Sequence, residues 1–123
     1  MRKSVMWLIV LLMSMMLTGC GGAEKPNSVL VFIDNGARQC EFAGNPPQHT
    51  ADVLSASGIE VLSSECGFRT GLFFPAVCSA GNAEINLHGI NETDLSMAAE
   101  LGFLPVSGLA GDADKGYEIV ECP

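Results

Sequence analysis

Four cysteines constrain this chain more than any other residues in it: Cys40, Cys66, Cys78 and Cys122, separated by 26, 12 and 44 positions. Those intervals contain no Cys-x-x-Cys and match no zinc-ribbon or redox-motif spacing. A fifth, Cys20, stands apart, at the point where composition changes. Residues 1–19 hold Trp7, the only Trp, five of the six Met, and the basic pair Arg2-Lys3. Beyond them, 4 basic residues (Lys25, Arg38, Arg69, Lys115) face 14 acids, a formal net charge of −10. Neutralising phosphates takes a clustered basic face, so this scatter of cations excludes a nucleic-acid binder. The length left over suffices for one domain.

The first segment has the grammar of an export signal. Arg2-Lys3 form a basic start, and Val5 to Leu17 is an apolar run broken only by Ser14. That run is shorter than the roughly 18 residues that would span a bilayer. It closes on Leu17-Thr18-Gly19-Cys20, which resembles the lipobox of bacterial lipoprotein precursors: an apolar residue, two small residues, then the cysteine that takes the lipid. The resemblance covers the first 20 residues and implies a signal peptide over 1–19 and acylation of Cys20. A single acyl chain binds membranes only marginally, whereas two or three anchor durably. Lipoproteins with Asp after the cysteine tend to stay in the inner membrane; here that position is Gly21. The expected location is therefore the cell envelope, on the outer membrane facing the periplasm where there are two membranes. Residues 20–27 then form the lipidated cysteine and a tether; the seven residues Gly21–Asn27 reach at most about 25 Å. The remainder, 28–123, resembles only small uncharacterised exported bacterial proteins.

In an exported domain of this size, an even number of cysteines implies two disulfides. Three pairings are possible. The spacing favours Cys66–Cys78 with Cys40–Cys122, because Cys66 closes one strand-like run and Cys78 precedes the next.

Hydrophobic patterning places the elements. Val29–Ile33 is an unbroken apolar run suited to a strand covered on both faces. Asn35-Gly36 then signals either a hairpin returning through Cys40 or an irregular loop through Pro46-Pro47. Thr50 can cap a short helix that ends at Gly58, followed by a strand over Ile59–Ser63. Ala83–Ile90 alternates, with Ile85 and Leu87 on one side and Glu84, Asn86 and His88 on the other. A second helix follows, with Asn91 as cap and Gly102 past its end, and Tyr117–Glu121 makes the last strand. Pro105 confines any strand near Phe103–Ser107 to an edge. The order βαββαβ predicts an α+β, ferredoxin-like sandwich stapled by two disulfides, with other small α+β folds as the alternative.

Chemistry is sparse. His88 falls on the polar side of its strand, which predicts a solvated or surface-bonded imidazole, and His49 belongs to the loop before Thr50. Asp112-Ala113-Asp114-Lys115-Gly116 looks like a piece of a calcium loop but lacks ligands at its fifth and twelfth positions. No cofactor, metal or catalytic residue can be nominated. The unusual stretch is Cys66 to Cys78, with Phe68, Phe73 and Phe74 inside seven residues. It is either core tucked under the sheet or a binding loop. Phe68 and Arg69 are the expected accessible binding surface, Arg69 as reader of an anionic group, with Phe74 and Val77 buried. The sequence thus predicts a non-enzymatic, lipid-anchored envelope module that touches the membrane through Cys20 and binds an envelope protein or small ligand, or serves structurally. The alternative is a small periplasmic enzyme or enzyme inhibitor, which would need His49 or His88 within reach of Glu65, Asp34 or a Ser in a concave site.

Overall fold

The computed structural model describes residues 27–123; the expected signal peptide over 1–19, Cys20 and most of the expected tether lie outside the described residues. Five strands form one antiparallel sheet: β1 (Ser28–Asp34), β2 (Val61–Arg69), β3 (Glu84–Asn91), β4 (Leu104–Pro105) and β5 (Tyr117–Val120), in the order β4-β1-β3-β2-β5. Two helices, α1 (Pro47–Ala56) and α2 (Leu95–Glu100), complete an α+β domain, with short 3-10 turns at Glu92–Asp94 and Val106–Leu109. Among the described residues no helix is long and apolar enough to cross a membrane.

β3 lies in the middle and is buried from Ile85 to Ile90. Alternation splits its side chains between two faces. Asn86, His88 and Ile90 share a face with Val31, which the register sets opposite His88. Leu54 of α1, Ala98 of α2, Ile59 and Phe103 close over that face as the main core, with Val31 and Ile90. Ile85 and Leu87 point to the other face and are buried as well. Because β4 and β5 occupy opposite edges, residues 106–116 must span the sheet between them. Gly116 helps lock this connection: its φ is +86°, and the Leu109 carbonyl stands where a Cβ would sit. Gly67 allows a second close approach, since a Cβ there would come within 2.7 Å of the Glu118 carbonyl and of Leu87 Cδ1.

The predicted elements are present with shifts: the second helix starts at Leu95, after the 3-10 turn that follows Asn91, and Asn91 makes no side-chain cap bond to it. α1 begins at Pro47, whose fixed φ suits the first helical position, so Thr50 lies inside the helix rather than capping it, and His49 is in the first turn rather than a loop. Gly58 (φ +84°) and Gly102 (φ +95°) do take the left-handed positions past the two helices. β2 runs on through Cys66 to Arg69 instead of ending near Ser63. The residues after Asn35-Gly36 form an irregular loop whose β-pairing is limited to an isolated bridge between Arg38 and Phe42. Tyr117–Val120 pairs with β2 as a fifth strand, and the short β4 takes the place beside β1.

The four cysteines form two disulfides, Cys40–Cys78 and Cys66–Cys122. This corrects the expected pairing of Cys66 with Cys78 and Cys40 with Cys122. Cys66 is internal to a strand, and its cross-strand partner on β5 is Val120. That register brings Cys122, two residues on, beside Cys66, while Cys78 stays in the loop next to Cys40.

Candidate functional site

The segment between β2 and β3 is the most unusual surface of the domain. Residues 71–79 are all exposed. Phe73 is 99% exposed, Val77 56%, Phe74 41% and Leu72 40%. This overturns the core reading of the segment and the expected burial of Phe74 and Val77. The physical reason is the length of β2: its ladder continues to Arg69, so the aromatic run starts beyond the end of the sheet, where no helix covers it.

The loop is nevertheless held. Cys78 is bonded to Cys40. Gln39 Nε2 donates to the carbonyls of Pro75 (3.0 Å) and Gly81 (3.1 Å), the Gln39 backbone N–H donates to Ala80 O (2.9 Å), and Ser79 N–H donates to Gln39 O (2.8 Å). Ser79 Oγ also donates to Glu41. At the other end, Thr70 N–H donates to Gly116 O (3.0 Å) and its hydroxyl to Asp114 (3.1 Å). Asp114 thus belongs to a turn that ties Thr70 and Gly116 together, its Oδ1 accepting the Gly116 N–H at 2.7 Å. A loop fixed at both ends presents its apolar side chains with little ordering left to lose on binding.

Phe68 and Arg69, the expected binding residues, are both in β2 and half-buried. The Arg69 guanidinium lies 5.8 Å from the Phe32 ring centre, and its Nε is buried without a hydrogen-bond partner among the described residues. Beside the Cys40 loop is an open cleft of about 590 Å³ lined by Arg38, Glu41, Asn82, Glu84 and Pro123 among others.

A second polar cluster is the one that sequence analysis misplaced. His88 is 0% exposed, packed edge-on against Phe103; α1 covers the side of β3 that reads as polar. Thr50 Oγ1 donates its one proton to Pro47 O (3.1 Å) and accepts from Asn86 Nδ2 (3.1 Å). The 2.7 Å contact between Thr50 Oγ1 and His88 Nε2 must then be donated by the imidazole. Nδ1 is left as acceptor for the hydroxyl of exposed Ser64, at 2.8 Å. Burial pushes the imidazole below its ordinary value, the Ser63 backbone opposing, so the ring is neutral at pH 7. The alternation of Asn and His with Ile and Leu on β3 carries no hint of this, because burial of the polar set depends on α1. Ser64 and His88 meet the distance condition for serine activation, yet neither lines the cleft of about 590 Å³ or the two smaller ones, of about 280 and 140 Å³, near Pro123.

Among the described residues, no three His, Cys, Asp or Glu are grouped to hold a metal. No family model matches the sequence, and neither the curated proteins nor the solved structures give a match.

Proposed function

We propose that the chain is a lipid-anchored protein of the bacterial cell envelope whose disulfide-stapled domain binds a partner through the loop Leu72–Val77. The observation that carries the binding role is Phe73, 99% exposed in a run, Thr70 to Gly81, that has no charged residue. Solitary exposed apolar residues are ordinary, but a fixed cluster of four is a contact surface. The anchoring role rests on Leu17-Thr18-Gly19-Cys20 and the apolar run before it. Gly21 after the cysteine favours the outer membrane.

The fold reading belongs with this proposal: a ferredoxin-like βαββαβ domain in which β4 is the fourth strand and β5 an addition at the β2 edge. The strand order β4-β1-β3-β2 and the shared core of α1 and α2 support it.

Metabolic labelling with a palmitate analogue tests the anchor: the wild type takes up label and Cys20→Ala does not. Equal labelling of both would refute it. The enzyme reading keeps one specific support, the 2.8 Å contact between Ser64 and His88. A serine-reactive fluorophosphonate that marks the wild type and spares Ser64→Ala would favour that reading over a pure binding module.

A further inference from the structure

We infer that the Leu72–Val77 loop is a tip directed away from the anchoring membrane, and that its occupant is a protein with an apolar pocket, rimmed by basic side chains, that receives Phe73. This rests on the lipid-anchor reading for its direction and on the described domain alone for its chemistry.

The direction follows from strand register. β1 starts at Ser28, opposite Asn91, and the tether joins it there. At the far end of the sheet Asp34 faces Ile85 and Phe68 faces Glu84, and the loop leaves just beyond, after Arg69. The seven residues of β1 put about 20 Å between the two ends. A flexible tether of seven residues, two of them Gly, has a root-mean-square reach of about 15 Å. Near-complete extension and inversion of the domain would be needed to return Phe73 to the leaflet that holds the lipid. Its apolar side chains therefore face outward.

The charge pattern names the partner's rim. Glu41 and Asp114 accept hydrogen bonds from Ser79 and Thr70 at the two feet of the loop, and Glu84 and Glu118 are exposed on the neighbouring strands. Of the nearby cations, Arg69 is turned onto Phe32, Lys115 stands 4.7 Å from the Tyr117 ring centre, and Arg38, exposed beside Gly81, donates to Ala37 O at 3.2 Å, so the four carboxylates are in excess around the loop. Carboxylates around an apolar tip favour a basic-rimmed pocket and repel both an anionic lipid surface and a second copy of this acidic domain.

The experiment has two parts. In the first, p-benzoylphenylalanine replaces Phe73 in the full-length chain, which is irradiated in its own cells; the protein joined to it is identified, purified and titrated against the wild type and Phe73→Ser. The expected results are a heterologous protein adduct, at least tenfold weaker binding by Phe73→Ser with an unchanged melting temperature, and weaker wild-type binding as salt rises. The absence of any protein adduct, an adduct with a second copy, or equal binding by Phe73→Ser would overturn the inference. The second part uses Phe73→Trp, since the mature sequence has no other Trp. The lipidated chain is placed in vesicles of phosphatidylethanolamine and phosphatidylglycerol that carry brominated acyl chains. Unquenched fluorescence is expected, and quenching would make the bilayer the occupant and overturn the inference. Failure of the anchor shows separately, as loss of palmitate labelling at Cys20, and leaves the titration interpretable.

Discussion

His88 shows how much a single side chain's role depends on what is packed above it. Its proton partners are fixed by Thr50, which has one hydrogen to give and gives it to Pro47 O. Thr50→Val keeps the shape but removes the acceptor for both the imidazole and Asn86 Nδ2. The expected cost is about 1–3 kcal/mol, read from the midpoint of a denaturant melt. The buried imidazole also sets a pH dependence. Its folded pKa lies below the ordinary 6.5, so at pH values above 6.5 folded and unfolded chains both hold the neutral ring and stability is complete. As pH falls through 6.5 toward the lowered value, the unfolded chain takes up the proton first and stability declines. Melts from pH 8 to 5 should show that decline in the wild type, reduced in His88→Gln. The apolar residues divide along the same line. Leu54, in the core with Phe103, should lose about 2–5 kcal/mol as Leu54→Ala, whereas Phe73→Ser and Phe74→Ala should stay within roughly 0.5 kcal/mol.

At the level of elements, the strands are what decide the disulfides and the loop. Peptide mapping of the unreduced protein should yield Cys40 linked to Cys78 and Cys66 linked to Cys122, with no free thiol among them. The linked residues are 38 and 56 positions apart, so each bridge contributes about 4 kcal/mol in the chain-entropy account. Their local effects differ. Replacing Cys40 and Cys78 with Ala should expose the Phe73-Phe74 bonds to chymotrypsin many-fold faster, while replacing Cys66 and Cys122 should loosen β5 and leave the loop's cleavage rate closer to that of the wild type. Much of this was legible beforehand. Val29–Ile33, the alternation on Ala83–Ile90 and the glycines at 58 and 102 each mark an element through its local chemistry. The pairing was not, because it depends on β2 continuing to Arg69 and on β5 choosing the β2 edge, both of which are long-range ladder energies.

For the whole molecule, the two bridges together are comparable with the net stability of about 5–15 kcal/mol typical of a domain this size. Full reduction should therefore abolish the cooperative thermal transition, measured by near-ultraviolet circular dichroism at neutral pH, and reoxidation should restore it. The domain also has two distinct ends: β1 begins at the Ser28 end and the apolar loop leaves from the Arg69 end. That arrangement is a property of an antiparallel sheet with β1 next to β3, and no short segment encodes it.

The sequence by itself determined the composition break, the lipobox-like run to Cys20, the parity of the remaining cysteines and the α+β succession of elements, since each of these is written in neighbouring residues. Only the tertiary structure decided which cysteines meet, that His88 is enclosed between α1 and Phe103, and that Phe73 stands free in solvent. Burial and pairing are relations between residues 15 to 56 positions apart, and they are fixed by which faces and edges the chain covers when the sheet closes.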